Sequence, residues 1–248
     1  MPIEAIETRR LYRQVADQLR QLIEAGEYSP GDRLPAERDL AEQFEVSRPT
    51  VREAMIALEV EGLVRIRVGS GIYVTSTTGT MVAMPGTPLE SPFELLRARE
   101  IVEGSIAAEA AAIATSEHIA RLDEVLVQAR GLPHPGSRTL SLDREFHVRI
   151  AGILDNAVLA RFTGQLFDQR INPYFERLSS YFEDRDTWKL AMREHQIVRD
   201  AIAANDPAAA RDAMRRHLTR SRERFERNFG EVPPEGGEEE RFRAGASR

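Results

Sequence analysis

The sequence predicts a mainly α-helical protein with two domains: a small one of three helices and a β-hairpin, and a larger one made only of helices. Apolar residues recur at the helical period of about 3.6 residues over most of the chain. Two short β-branched runs, LVRIR and IYVT, are separated by VGSG, which is typical of a hairpin. Residues 76–91 are rich in Ser, Thr, Gly and Pro, and we interpret them as a linker.

The composition limits the functions that this chain can perform. It has 248 residues, of which 42% are hydrophobic, and this content is ample for buried cores. The absence of cysteine excludes disulfides and thiolate metal ligands, and it fits the cytoplasm. No apolar run is long enough to span a bilayer, and the N-terminus shows no secretory signal pattern. We therefore expect a cytoplasmic protein with no membrane association.

The first domain is predicted to span residues 1–75. Helical periodicity, an N-cap serine and a closing Gly62 define its three helices, which are Leu11–Ala25, Pro35–Phe44 and Ser47–Glu61. The hairpin follows them. Two short helices joined by a tight turn, with a hairpin after them, predict a winged helix-turn-helix.

The third helix has the side chains of a DNA-reading element at its N-terminal end. Ser47, Arg48, Thr50 and Arg52 can contact phosphates, and an arginine can also bind the O6/N7 edge of guanine. The turn at Gly69 lacks bulk, so its backbone can approach a DNA strand closely. The alternative is an ordinary helical domain with solvated arginines. The net charge of −6 for the whole chain favours that alternative, although it does not exclude a local basic surface.

The second domain is predicted to span residues 92–229 as an all-α bundle, and residues 230–248 are predicted to be a disordered tail. Helical periodicity defines six segments. They are Phe93–Thr115, Ser116–Arg130, Leu140–Leu154, Ala157–Tyr181, Arg185–Ala204 and Pro207–Phe229.

Two histidines lie at equal distances from a turn in this domain. His195 precedes Asp206 by eleven residues and His217 follows it by eleven. If the chain reverses at Asp206–Pro207, both lie roughly 16 Å from the turn, at about 1.5 Å per residue, and therefore at one height. Both share helix faces with apolar residues, so we expect the two imidazoles to point inward and to meet.

A third histidine and an aspartate complete a candidate metal site. Asp143 and His147 are four residues apart on one helical face, where a buried carboxylate needs a partner or a metal ion. With His195 and His217 they offer nitrogen and oxygen ligands for a divalent ion, Zn²⁺ first and Ni²⁺ or Mn²⁺ as alternatives. The competing interpretation is a set of hydrogen-bonded core histidines, with Asp143 paired to Arg144 or Arg149 at the surface.

The first domain resembles the DNA-binding domain of the GntR family of bacterial transcription regulators. The segment RLPAERDLAEQFEVSRPTVREAMIALEVEGLVRIRVGSGIYV carries this resemblance. It implies a winged helix-turn-helix that binds a palindromic operator as a homodimer. It also implies a set of residues that contact double-stranded DNA: Arg38, Ser47, Arg48, Thr50, Arg52 and Gly69.

The second domain is similar to the FCD effector domain of the FadR subfamily, in the version that binds a metal ion. That version carries Asp-x3-His in one helix and single histidines in two later helices, and these match Asp143, His147, His195 and His217. The resemblance implies a small carboxylate effector rather than a fatty acyl-CoA. It further implies that Arg99, in LLRAREIVEG, lines the effector pocket. The alternative for Arg99 is a solvated ion pair with Glu103.

These observations predict a ligand-responsive transcription regulator and not an enzyme. A repressor is the first interpretation and an activator is the alternative, because the sequence does not fix the sign of the response. Three alternatives for the metal site also remain open at this point. The metal ion can itself be the signal, the site can be that of a metal-dependent hydrolase, or the ion can be purely structural.

Overall fold

The computed structural model describes residues 11–67, 69–78, 91–132, 136–170, 173–182 and 184–226. These residues are mainly α-helical, and they divide into two compact units between residues 78 and 91. Most of the predicted linker and the whole predicted tail of residues 230–248 lie outside the described residues. None of the helices in the described ranges has the length and apolar character needed to cross a membrane.

The first unit is a winged helix-turn-helix, as predicted. Its elements in chain order are α1 (Leu11–Glu24), α2 (Glu37–Phe44), α3 (Arg48–Val60), β1 (Val64–Arg67) and β2 (Gly71–Val74). The strands are antiparallel, with Val64 opposite Val74 and Arg67 opposite Gly71. Helix α3 packs against both α1 and α2, and its side chains Met55, Ile56 and Leu58 are fully buried.

Local sequence explains the turn between α2 and α3. Glu45 adopts a left-handed conformation with φ of 54° and closes the C-terminus of α2. Ser47 then caps α3, because its hydroxyl accepts a hydrogen bond from the backbone N–H of Thr50. Pro49 lies in the first turn of α3, where a missing N–H costs nothing. The turn is therefore short and fixes the direction in which α3 begins.

The second unit is an all-α bundle of seven helices in the described residues. They are α4 (Pro92–Ile113), α5 (Ser116–Arg130), α6 (Ser137–Gly152), α7 (Ala157–Asp168), α8 (Pro173–Phe182), α9 (Arg185–Ala203) and α10 (Pro207–Glu226). Helix α6 packs against α4, α5 and α7, while α9 packs against α4 and α5. Helices α6, α9 and α10 carry the aspartate and the three histidines of interest.

The prediction of one helix over Ala157–Tyr181 was wrong, because the chain forms α7 and α8 there. Pro173 begins α8. A proline inside a helix has no N–H to donate, and its ring clashes with the carbonyl four residues earlier, here that of Gln169. The signal was present in the sequence, but the apolar periodicity of the two flanking segments obscured it.

The reversal between α9 and α10 is anchored by Asn205. This residue has a φ of 51°, a left-handed conformation that Asn tolerates better than most residues. Its side-chain Nδ2 donates hydrogen bonds to the carbonyl oxygens of Ala111, at 2.8 Å, and Ala114, at 3.2 Å. The turn that sets the relative height of His195 and His217 is thus tied to the end of α4.

We predict that Asn205→Ala lowers the free energy of unfolding of the helical domain by about 2–3 kcal/mol, because it loses both hydrogen bonds and adds strain at a positive φ. Asn205→Gly is the matched control, since glycine tolerates the backbone conformation and loses only the hydrogen bonds. Urea unfolding followed by the fluorescence of the single tryptophan, Trp188, measures both. Equal stability of Asn205→Gly and the wild type would show that the bonds to α4 contribute nothing.

Candidate metal centre and DNA-reading helix

The structure brings together the four residues predicted as metal ligands. Helix α6 contributes Asp143 and His147, α9 contributes His195, and α10 contributes His217. One ligand atom from each lies within 4.8 Å of the others. All four are buried, with exposures of 9% for Asp143 and 5% or less for each histidine. We call this group the His3Asp cluster.

The three imidazoles turn the same nitrogen toward the centre. His195 Nε2 lies 3.1 Å from His217 Nε2 and 3.3 Å from Asp143 Oδ1. His147 Nε2 lies 3.4 Å from the same carboxylate oxygen. The centroids of the three rings are 4.4–5.4 Å apart. The equal spacing of His195 and His217 about the α9–α10 turn therefore does place their side chains together.

The chemistry of the cluster fits a cation better than a set of ordinary hydrogen bonds. Within the described residues, Asp143 Oδ1 and His147 Nε2 are buried and have no hydrogen-bond partner. Burial, and the neighbouring histidines, hold the pKa of His195 and that of His217 well below the usual value. Neutral imidazoles with unused nitrogen lone pairs are the form in which histidine binds metal ions.

The carboxyl group of Asp143 is held in its charged form. Burial alone would raise the pKa of Asp143, but contact with His147 and the charge of Arg170 keep it well below its usual value. Arg170 Nη1 donates to Asp143 Oδ2 at 3.0 Å, and this leaves Oδ1 turned toward the histidines. Sequence reasoning missed Arg170, because it lies just beyond α7, within the segment predicted to be one long helix.

The surface alternative for Asp143 is wrong. Arg144 instead binds Asp168, with its Nε at 2.6 Å from Oδ1. Arg149 binds Glu145 on its own helix and Glu124 on α5. Neither arginine is the partner of Asp143, because both lie on other faces of α6 and bind other carboxylates.

Two buried carboxylates contact the Nδ1 atoms of two of the histidines, on the side of each ring away from the cluster centre. Glu103 Oε2 lies 2.5 Å from His147 Nδ1, and Glu194 Oε2 lies 2.9 Å from His217 Nδ1. Burial would raise the pKa of Glu103, but Arg99 and His147 lower it to about 2. The same carboxylate outweighs the effect of burial on His147 and raises the pKa of that histidine. Glu194 precedes His195 in sequence, and nothing local indicates that it contacts His217.

A cavity of about 630 Å³ opens beside the His3Asp cluster. Asp143 and His217 form part of its wall, together with four arginines, Arg99, Arg144, Arg170 and Arg224. The resemblance predicted Arg99 in the pocket, and it lines this cavity. Its solvated alternative is wrong, because Arg99 is 1% exposed, although it does pair with Glu103 at 2.6 Å.

The residues predicted to contact DNA differ widely in exposure. Arg38 is 75% exposed at the start of α2, and Arg48 is 43% exposed at the start of α3. The hydroxyls of Ser47 and Thr50 lie 2.8 Å apart at the same end of α3. Gly69 has a φ of 75°, which favours glycine in the hairpin turn.

Arg52 does not share this exposure. Its side chain is 2% exposed and forms a bidentate contact with the carboxylate of Glu37, with distances of 3.0 and 2.9 Å. Arg48 Nε donates to the same carboxylate at 2.9 Å. Arg52 lies one helical turn after Arg48, on the side of α3 that faces α2, so its main contact in the structure is within the domain.

Each of the two domains matches a known protein family. Residues 11–74 match the family described as bacterial regulatory proteins, gntR family, and residues 94–220 match the FCD domain. The fold and the cavity together define a DNA-binding regulator with an effector domain. The chain belongs to the GntR family of transcription regulators, with a FadR-like arrangement of a winged helix-turn-helix followed by an FCD domain.

Curated relatives cover most of the chain. The Exu regulon transcriptional regulator of Escherichia coli K12 is 40% identical over 87% of this chain and 84% of its own length. The Uxu operon regulator of Haemophilus influenzae is 39% identical over 84% and 79%. The Uxu operon transcriptional regulator of E. coli K12 is 37% identical over 89% of both chains. Because these relatives are regulators, the prediction that this protein is not an enzyme is confirmed.

We predict that Arg48→Ala and Arg52→Ala act in different ways. Arg52→Ala leaves the buried carboxylate of Glu37 without its main partner, and we expect a loss of about 3–5 kcal/mol in domain stability. Arg48→Ala removes a half-exposed contact and should cost below about 1 kcal/mol. Thermal unfolding followed by circular dichroism measures the stabilities, and anisotropy measures binding to DNA from upstream of the protein's own gene.

Arg161→Ala is the control for charge, because Arg161 is exposed on α7 in the other domain. Both α3 variants should bind that DNA more weakly than this control. Normal DNA affinity of Arg48→Ala would contradict the assignment of α3 as the helix that contacts DNA bases. Normal stability of Arg52→Ala would contradict the structural role of the buried Glu37–Arg52 pair.

Proposed function

We propose that this regulator is a cytoplasmic repressor that binds a palindromic operator as a homodimer and senses a small organic acid through a divalent metal ion. The observation that carries this proposal is the buried His3Asp cluster, which opens onto an arginine-lined cavity. Residue types and geometry support each part of it separately.

The cluster supports a metal ion of the borderline class. Ligand atoms at about 2.0–2.2 Å from one ion can lie up to about 4 Å apart, so ligand atoms within 4.8 Å of one another need only small shifts. Three imidazoles and a carboxylate suit Zn²⁺ first, and Ni²⁺ or Mn²⁺ as alternatives. Such an ion would supply a positive charge and a coordination position for an acidic ligand at the cavity wall.

The cavity supports a carboxylate as the effector. Four arginines line its wall, and two of them, Arg99 and Arg170, are more than nine-tenths buried. The rings of Phe167 and Phe175 lie about 5 Å from the Arg170 guanidinium carbon and give the cavity an apolar side. A small acid with a compact carbon skeleton can use both features, since guanidinium groups bind carboxylates in a bidentate way.

The first domain supports DNA binding by α3 and the hairpin. Arg38 and Arg48 are the exposed cations of the helix-turn-helix, and Ser47, Thr50 and Gly69 offer hydroxyls and a close backbone approach. In this proposal Arg52 positions the carboxylate of Glu37, and Glu37 in turn positions the side chain of Arg48. Two copies related by a two-fold axis would read a palindrome. Acid binding would shift the population between dimers with different operator affinity.

We predict that the wild-type protein binds one Zn²⁺ per chain and that His195→Ala or Asp143→Asn weakens this binding at least about tenfold, as expected when a ligand is removed. His118→Ala is the matched control, because His118 lies at the start of α5 outside the cluster. Isothermal titration calorimetry of chelator-treated protein measures its affinities for Zn²⁺, Ni²⁺ and Mn²⁺. Saturating metal, at about 100 times the dissociation constant, should stabilise the fold by roughly 2.7 kcal/mol.

We predict that a carboxylate found by a thermal-shift screen of sugar acids and short acids, with Zn²⁺ present, releases the protein from DNA upstream of its own gene. The affinity for that DNA should fall steeply with salt, since phosphate contacts release counterions. If Zn²⁺ alone, or its removal, releases the DNA without any acid, the protein is a metal sensor. If metal removal lowers only the melting temperature, the ion is structural and the effector half of the proposal is wrong.

A further inference from the structure

Two arginines of the cavity wall are connected to two histidines of the cluster by buried glutamates. On α4, Arg99 donates from Nε to Glu103 Oε1 at 2.6 Å, and the other oxygen of Glu103 lies 2.5 Å from His147 Nδ1. Between α10 and α9, Arg224 Nη1 lies 3.2 Å from Glu194 Oε1, and Glu194 Oε2 lies 2.9 Å from His217 Nδ1. We call these the Glu103 relay and the Glu194 relay.

We propose that Glu103 and Glu194 are positioning residues that couple acid binding at the cavity arginines to metal binding at His147 and His217. This inference rests on the proposed function, because it assumes a metal ion in the His3Asp cluster. It goes further in saying which side chains transmit the effect of the acid.

The order of groups in each relay supports the coupling. In both, the arginine lies closest to one carboxylate oxygen, and the other oxygen contacts the Nδ1 of a histidine and, at 3.4–3.5 Å, the same arginine. A carboxylate at Nδ1 selects the tautomer with the proton on that nitrogen, and leaves Nε2 available to a metal ion.

The relays also connect to the effector at their other end. Arg99 and Arg224 both line the cavity, and Glu103 and Glu194 are 2% and 7% exposed. An acid that binds either guanidinium competes with the glutamate for the same N–H donors. The contact between the glutamate carboxylate and the histidine Nδ1 then changes, although the acid contacts neither the glutamate nor the histidine. Reciprocity requires that the metal ion alter acid affinity by the same factor.

The test compares three glutamate variants in the purified full chain. Glu103→Gln and Glu194→Gln keep the shape of the side chain and remove its charge. Glu100→Gln is the matched control, because Glu100 is 5% exposed on the same helix as Glu103 and pairs with Arg97 and Arg215 rather than with a histidine. Competition with a chelating dye measures Zn²⁺ affinity. We expect each relay variant to lose about 10–100-fold and the control to match the wild type.

A spectroscopic readout separates positioning from a merely structural role. Nitrogen-15 NMR of labelled histidines reports the tautomer in metal-free protein. We expect His147 to lose its Nδ1–H tautomer preference in Glu103→Gln and His217 to lose it in Glu194→Gln, with neither change in Glu100→Gln. Circular dichroism of the same samples confirms that the helices remain folded.

A double-mutant cycle tests the link to the cavity with Zn²⁺ as the only probe. Arg99→Lys keeps the charge but loses the fork that holds Glu103. It should weaken Zn²⁺ binding in the wild-type background and have little further effect in Glu103→Gln. Additive effects would show that Arg99 and the metal site are independent, and would overturn the relay. If Glu103→Gln does not fold, the same cycle on Arg224→Lys and Glu194→Gln decides the question.

The outcomes separate this inference from the proposed function. Wild-type protein that binds Zn²⁺ tightly, with both relay variants unchanged, overturns the relays and leaves the metal site intact. Wild-type protein that binds none of Zn²⁺, Ni²⁺ or Mn²⁺ overturns the proposed function, and the relays with it.

Discussion

The burial of Asp143 is the constraint on which the helical domain depends. A carboxylate with 9% exposure is costly unless charge and hydrogen bonds compensate it, and its surroundings are arranged to do so. Arg170 neutralises one oxygen, and three histidines from three helices surround the other. The helices must therefore meet at one place and at one rotation, which also opens the cavity beside the cluster. The same few contacts hold the helices together and bring the candidate ligand atoms to one place.

The first domain uses a similar device on a smaller scale. Glu37 and Arg52 are both almost fully buried and bind each other in a bidentate way, and Glu37 also binds Arg48. A buried ion pair of this kind stabilises little by itself, but it strongly penalises arrangements that separate the charges. Here it fixes the rotation of α3 relative to α2. The exposed end of α3 is then presented in one orientation.

Much of this protein was predictable from local sequence. The helical period, the cap at Ser47 and the glycine-bearing hairpin predicted the elements of the first domain, because these features depend on neighbours within a few residues. The i,i+4 spacing of Asp143 and His147, and the equal distances of His195 and His217 from their turn, predicted which histidines could meet. Pro173 also carried a local signal, the break between α7 and α8, which the continuous apolar pattern obscured.

The sequence by itself determined the two domains, most of the helices and the four residues of the cluster, since periodicity and short spacings follow from helix geometry. Only the tertiary structure decided which charged groups are buried together. Glu103, Glu194 and Arg170 contact cluster residues on other helices, and Arg52 faces Glu37 rather than solvent. These contacts depend on how each helix is rotated against its neighbours, and that rotation is set by packing over long sequence separations.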